Sequence, residues 1–201
     1  QELGAGVYAF DFWGSGESDG EFAHMTLTSQ ARDLAGVIDY VFALHHLPII
    51  LLGRSFGGST VLAGGSGDER VAGYILWSTP VRLKDTFAGM LGEAYGQLEE
   101  GQDVSFADEG GEFVIGSALI KDLAEHDMDK YLCAIGDRPV LVISGQEDEL
   151  VDPANAEYMS AHLKNARLCI VEHADHRFTD LTREREDITL AWIEKTFLNG
   201  K

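Results

Sequence analysis

Residues 49–58 admit few backbone paths. The apolar run Ile49-Ile50-Leu51-Leu52 passes directly into Gly53-Arg54-Ser55-Phe56-Gly57-Gly58, and small residues suited to a closely packed helix follow. A strand that turns into a helix within two or three residues needs glycine where a side chain would meet neighbouring backbone. Gly53 and Gly57 flank the serine at those positions. The turn predicts Ser55 at the carboxyl edge of a sheet with its hydroxyl exposed. Phe56 then opens the helix, with a backbone N–H free to donate to a developing oxyanion.

The rest of the chain supplies such a sheet. Five short apolar runs, residues 6–12, 48–52, 71–77, 139–144 and 167–172, lack strict alternation and read as strands buried on both faces of a parallel sheet. Helical patterns separate most of them. Leu34, Val37, Ile38 and Val41 form one apolar stripe. Asp152-Pro153 reads as an N-cap and first-turn proline ahead of Ala156, Met159 and Leu163, and Leu190, Ile193 and Phe197 mark a last helix. The expected class is therefore α/β, a mostly parallel sheet flanked by helices with right-handed crossovers. Residues 81–136 break the rhythm, because they are helix-like and offer no convincing sheet strand. A structureless loop of that length is uncommon, so they read as an inserted, mainly helical cap on a core of residues 1–80 and 137–201. Glu93, Glu99, Glu100, Asp103, Asp108, Glu109 and Glu112 in this insert read as a solvated face.

A serine hydroxyl becomes a nucleophile only beside a base, and the base needs an orienting carboxylate. In the fold built on such a nucleophile elbow both follow the serine, acid first and histidine last. Residues 140–143 lead into Gly145-Gln146-Glu147-Asp148, and residues 168–171 lead into His173-Ala174-Asp175-His176. Three adjacent parallel strands would present Ser55, Asp148 and His176 together. Glu147 reads as an exposed loop residue, Asp152 as a helix cap, and His173 as packed or solvent-facing. His24, His45, His46, His126 and His162 fall in helical or linker positions, most of them solvated. His173, Asp175 and His176 cluster, but no second group completes a ligand set, so no metal is expected. Nucleotide cofactors are excluded on chemistry. Gly53 and Gly58 have P-loop spacing, yet Ser59 stands where phosphate needs Lys. Gly14, Gly16 and Gly20 depart from dinucleotide spacing by one residue, and Glu17 and Asp19 would oppose a pyrophosphate.

Charge narrows the partners. With 34 acidic and 15 basic residues, the 201-residue chain carries a formal charge of −19, which opposes binding to nucleic acid or an anionic membrane surface. No apolar run is long enough to span a bilayer. The two cysteines, Cys133 and Cys169, read as buried thiols in a reducing, cytoplasmic setting.

Together these residues resemble the α/β-hydrolase superfamily. Asp11-Phe12-Trp13-Gly14-Ser15-Gly16-Glu17-Ser18-Asp19-Gly20 resembles its post-strand D-x-x-G-x-G-x-S-x-G loop. Glu21-Phe22-Ala23-His24-Met25-Thr26, with His173-Ala174-Asp175-His176-Arg177-Phe178, is similar to bacterial cinnamoyl and feruloyl esterases. Acylglycerol lipases and serine aminopeptidases share the layout. The resemblance implies a cofactor-independent serine hydrolase that cleaves a small-molecule carboxylic ester through an acyl-enzyme. Ser55 would be the nucleophile, His176 the general base, Asp148 the orienting carboxylate, and Phe56 one oxyanion donor. Amide or peptide hydrolysis on the same triad is one alternative, and a catalytically incomplete fragment is another. In such families the cap covers the acyl pocket, which makes Phe87, Tyr95, Phe106, Phe113 and Tyr131 candidate lining residues, although packing is the commoner role. Arg54 and Ser15 depart from the pattern, standing where these families often carry His. Against that pattern the core is expected to be N-terminally incomplete, with the second oxyanion donor upstream of Gln1. An exposed edge at residues 7–10 would then favour a homodimer.

Overall fold

The computed structural model describes residues 4–108 and 111–198. Four strands, β1 (Ile49–Arg54), β2 (Val71–Trp77), β5 (Val140–Gly145) and β6 (Ala166–Val171), form one wholly parallel sheet in the order β1-β2-β5-β6. The two inner strands carry the burial that parallel pairing predicts: every residue of β5 is buried, and β2 is nearly so. The outer strands β1 and β6 each leave positions exposed, because neither has a neighbour on its far side among the described residues.

No strand forms over residues 6–12, in contrast to the sequence expectation. β-Propensity reports how a side chain fits a pleated neighbour, and these residues pair with no other strand among the described residues. Val7 is accordingly 90% exposed. The following loop is nevertheless fixed: the Asp11 carboxylate accepts Glu17 N–H at 3.0 Å, and Asp33 accepts Trp13 N–H at 3.0 Å.

Helices cover both faces. α1 (Leu27–His45) starts at a capping box, in which Thr26 Oγ1 accepts Ser29 N–H at 3.0 Å and Ser29 Oγ accepts Thr26 N–H at 2.9 Å. It buries Leu27, Leu34 and Ile38 against α2 (Phe56–Gly65). α7 (Ala154–His162) buries Ala156 and Met159, with Leu163 buried just beyond its end. Asp152 caps α7, as its Oδ1 accepts Ala154 N–H at 2.8 Å. The far face is covered by α8 (Thr182–Ile193), which passes into a π-helical turn, Glu194–Leu198. Leu190 departs from its expected stripe and is 46% exposed; Trp192 is the buried residue there. Alternation along β5 sends Val140 and Val142 into the first apolar cluster and Leu141 and Ile143 into the second.

The segment between β2 and β5 is not purely helical. It contains α3 (Leu83–Leu91), α4 (Glu93–Glu99), α5 (Ser117–Leu123) and α6 (Met128–Ile135), but also an antiparallel hairpin of β3 (Val104–Asp108) and β4 (Gly111–Ile115). Phe106 stacks on Phe113, and Phe113 meets Phe22 edge-on. Leu98, Leu119 and Leu132 belong to the same apolar cluster as Leu62 and Tyr74, so the insert packs on the sheet's core. Glu93, Glu99, Glu100, Asp103 and Glu112 are exposed; Glu109 and the Asp108 side chain lie outside the described residues. The cysteines also differ from expectation. Cys133 is exposed on α6 and Cys169 half-buried on an outer strand, both as free thiols. Among the described residues no helix is long and apolar enough to cross a membrane.

Candidate active site

The carboxyl ends of β1, β5 and β6 carry Ser55, Asp148 and His176. The three strands are not mutually adjacent, as the sequence reading had them. The crossover through α2 returns β2 to the side of β1 before the chain leaves for the insert, so β2 lies between β1 and β5.

Ser55 occupies a strained turn, with φ 51° and ψ −129°, and its N–H is held by Trp77 O at 2.8 Å. A Cβ at Gly53 would strike the Gly57 carbonyl. At Gly57 itself a Cβ would meet nothing within 4 Å, contrary to the collision expected at both flanking glycines; the second tight approach is Gly58 against the Thr79 side chain. The turn leaves Phe56 N–H at the head of α2 with no acceptor among the described residues. The Phe56 ring packs edge-on against Phe87, 5.5 Å between centroids.

His176 joins the other two residues. Its Nε2 lies 3.0 Å from Ser55 Oγ, and its Nδ1 lies 2.9 and 3.0 Å from Asp148 Oδ1 and Oδ2. Asp148 and His176 are both buried. Asp148 Oδ1 also accepts Val151 N–H at 2.8 Å and Leu150 N–H at 3.1 Å, which fixes the carboxylate plane. Burial by itself would push the Asp148 pKa up. Hydrogen bonds from His176 and Val151 outweigh that and hold it below the ordinary carboxylate value. This arrangement keeps an anion against the imidazole Nδ1–H and leaves Nε2 as an acceptor facing a hydroxyl.

The competing residues take other places. His173 is exposed and bonds Glu147 at 2.9 Å, away from Ser55, and that bond raises the His173 pKa. His126, unlike the exposed His24, His45, His46 and His162, is half-buried, bonded to Tyr131 at 2.8 Å and to Asp122 at 3.2 Å. Phe87 and Tyr95 are buried in the main apolar cluster, while Phe106, Phe113 and Tyr131 are partly buried against it. Among the described residues no group of three or more His, Cys, Asp or Glu could hold a metal ion.

Two positioning residues were not anticipated. Glu149 Oε2 accepts His176 N–H at 3.0 Å, tying the Asp148 loop to the His176 loop. Asn155 Oδ1 accepts both Val81 and Arg82 N–H at 3.0 Å, anchoring the start of the insert beside the Asp148 loop. Glu149 was visible only as the loop residue after Asp148, and Asn155 only as a helix residue; their backbone targets lie elsewhere in the chain. A cleft of about 520 Å³ opens between α3 and the Asp148 loop, lined by Arg82, Asp85, Met90, Asp148, Leu150 and Asp152. A second, of about 510 Å³ between β6 and α8, is lined by none of Ser55, Asp148 and His176.

The family model described as serine aminopeptidase, S33, matches residues 1–102. Human mitochondrial palmitoyl-protein thioesterase ABHD10 is 26% identical over 200 residues, covering 94% of this chain and 62% of that protein. The structure described as ferulic acid bound to Est1E from Butyrivibrio proteoclasticus superposes with a TM-score of 0.77 at 21% identity, covering 94% of this chain and 74% of that one. The Paleococcus ferrophilus monoacylglycerol lipase gives a TM-score of 0.70 at 20% identity, covering 96% and 83%. These structures share the α/β-hydrolase fold. The chain spans 57–62% of the length of the curated relatives it matches.

Proposed function

We propose that this chain, which belongs to the serine aminopeptidase S33 family and has the α/β-hydrolase fold, is a serine hydrolase that cleaves small carboxylic esters through an acyl-enzyme. The observation that carries the reading is the continuous line from Ser55 Oγ through His176 to buried Asp148, with contacts of 3.0 and 2.9 Å. Ser55 Oγ attacks the ester carbonyl carbon while its proton passes to His176 Nε2, and the carbonyl π pair moves onto oxygen, toward Phe56 N–H. The C–O bond then breaks, and His176 returns the proton to the leaving alcohol. Water repeats the sequence on the acyl-serine, releasing the acid and restoring Ser55. Asp148 stays ionised throughout, holding the imidazole tautomer and stabilising the imidazolium.

The substrate class draws support from the relatives, whose printed names include a lipase and a thioesterase, and from a structure that holds ferulic acid. The formal charge of −19 disfavours strongly anionic esters. Acyl thioesters are the second reading, favoured because the thioesterase relative spans 94% of the chain.

The test is hydrolysis of p-nitrophenyl acetate, methyl ferulate, a matched thioester and a matched amide by the wild type and Ser55→Ala. Serine-dependent turnover with the ester fastest supports the proposal. Unchanged turnover in Ser55→Ala overturns it, a faster thioester or amide transfers the reading to that bond, and no turnover from folded wild type leaves a catalytically incomplete hydrolase.

A further inference from the structure

Behind the Ser55 turn lies a buried cation that forms no ion pair among the described residues. Arg185, in the first turns of α8, is only 6% exposed. Its guanidinium carbon lies 4.1 Å from the centroid of the Trp77 ring and 5.3 Å from that of Phe178. Nε and Nη1 are sealed from solvent and have no hydrogen-bond acceptor among the described residues; Nη2 is not among these sealed atoms. No Asp or Glu pairs with the guanidinium among the described residues. Ring faces compensate part of a buried charge, but they accept none of the in-plane N–H groups.

A second cation stands on the same face of the sheet. Arg54 is the register partner of Trp77 in the parallel β1–β2 pair, so its side chain leaves the same face of the sheet. Arg54 is exposed and likewise unpaired among the described residues. Burial, and after it the charge of Arg54, pull the Arg185 pKa down, and Glu186 opposes them only in part. Two guanidiniums thus lie on the Trp77 face of the sheet, neither with a counter-charge among the described residues, in a chain with 34 acidic residues.

We infer that Arg185 Nη2 and the Arg54 guanidinium form a binding site for a compact oxyanion, a carboxylate or a phosphate group, stacked at the edge of Trp77. Guanidinium matches both groups through paired N–H donors. The site is mechanically close to the candidate catalytic residues. Arg54 directly precedes Ser55, Trp77 O holds Ser55 N–H at 2.8 Å, and Phe178 follows His176 by two positions. An anion there would brace the backbone on which both residues stand.

The experiment is thermal unfolding of the wild type in sodium phosphate, sodium acetate and sodium chloride at matched ionic strength. A ligand that binds only the folded state raises the midpoint saturably. Phosphate, acetate or both are expected to do so beyond chloride, and whichever acts identifies the anion class. Arg54→Gln, a surface change that leaves the core intact, is expected to raise the half-saturating concentration at least ~10-fold, since charge-assisted hydrogen bonds are lost. Arg185→Met is expected to abolish the saturable shift without lowering the midpoint in chloride, because it removes an unpaired buried charge. Equal responses to all three salts, or a saturable shift that survives in both variants, would overturn the inference.

Discussion

Asp148→Asn separates the chemistry of the proposed triad from its packing. Wild-type Oδ1 accepts Val151 and Leu150 N–H at 2.8 and 3.1 Å, and the carboxylate meets His176 Nδ1 at 2.9 and 3.0 Å. Asparagine has the same shape, and its one oxygen can keep the two backbone donors. Its NH2 group then faces Nδ1 and can only donate, so Nδ1 must accept and the imidazole proton moves to Nε2. An Nε2–H pointing at Ser55 Oγ cannot take a proton from it. The expected loss is ~10⁴-fold in kcat, the size of the tautomer effect in serine hydrolase triads, equivalent to about 5.4 kcal/mol. Stability has a distinct signature. The native Asp148 pKa lies below its ordinary value of 3.8, so the ionised carboxylate stabilises the fold above that pH, and this is lost as pH falls through the depressed native value. The stability gap between wild type and variant should therefore narrow as the solution is acidified below 3.8. Ester kinetics give the rate, ¹⁵N NMR of the His176 ring gives the tautomer, and urea titrations across pH give the gap. A variant within ~10-fold of wild type, or one whose Nε2 stays unprotonated, would refute the tautomer argument.

Further perturbations test the frame around the site. Gly53→Ala forces a Cβ into the Gly57 carbonyl and should cost ~1–3 kcal/mol in denaturant titrations, whereas Gly57→Ala meets open space and should be neutral or slightly stabilising in the helix. Leu141→Ala, fully buried on the inner strand β5, should cost ~2–5 kcal/mol by the same measurement. The exposed His173 titrates above its ordinary 6.5 because of Glu147, so its small stabilising effect is present below 6.5 and fades as pH rises through the raised value. NMR titration should show Glu147→Gln returning it toward 6.5.

The sequence exposed those parts of the fold whose burial is local and complete. The β2 and β5 runs were readable because both faces of each strand are covered, which removes polar positions from the run. Ser55, Asp148 and His176 were readable because chain order and strand ends confined each to a few residues. The β3–β4 hairpin was not, since Val104, Phe106, Phe113 and Ile115 gain their meaning from pairing with each other and from Phe22, far away in sequence. Residues 6–12 erred in the opposite direction, carrying strand propensity with no partner to express it. Arg185 shows the same limit at a single position. Thr182-Arg183-Glu184-Arg185-Glu186-Asp187 is a run of polar and charged residues, and only the placement of Trp77 and Phe178 turns one of its arginines inward.

The central claim is that Ser55 is an activated nucleophile. Its most direct test is labelling of the folded chain with a fluorophosphonate, followed by intact mass and peptide mapping. One adduct on Ser55, formed quickly in the wild type, much more slowly in His176→Ala and not at all in Ser55→Ala, is the predicted result. An unlabelled folded wild type, or an adduct that maps to another residue, would contradict the claim.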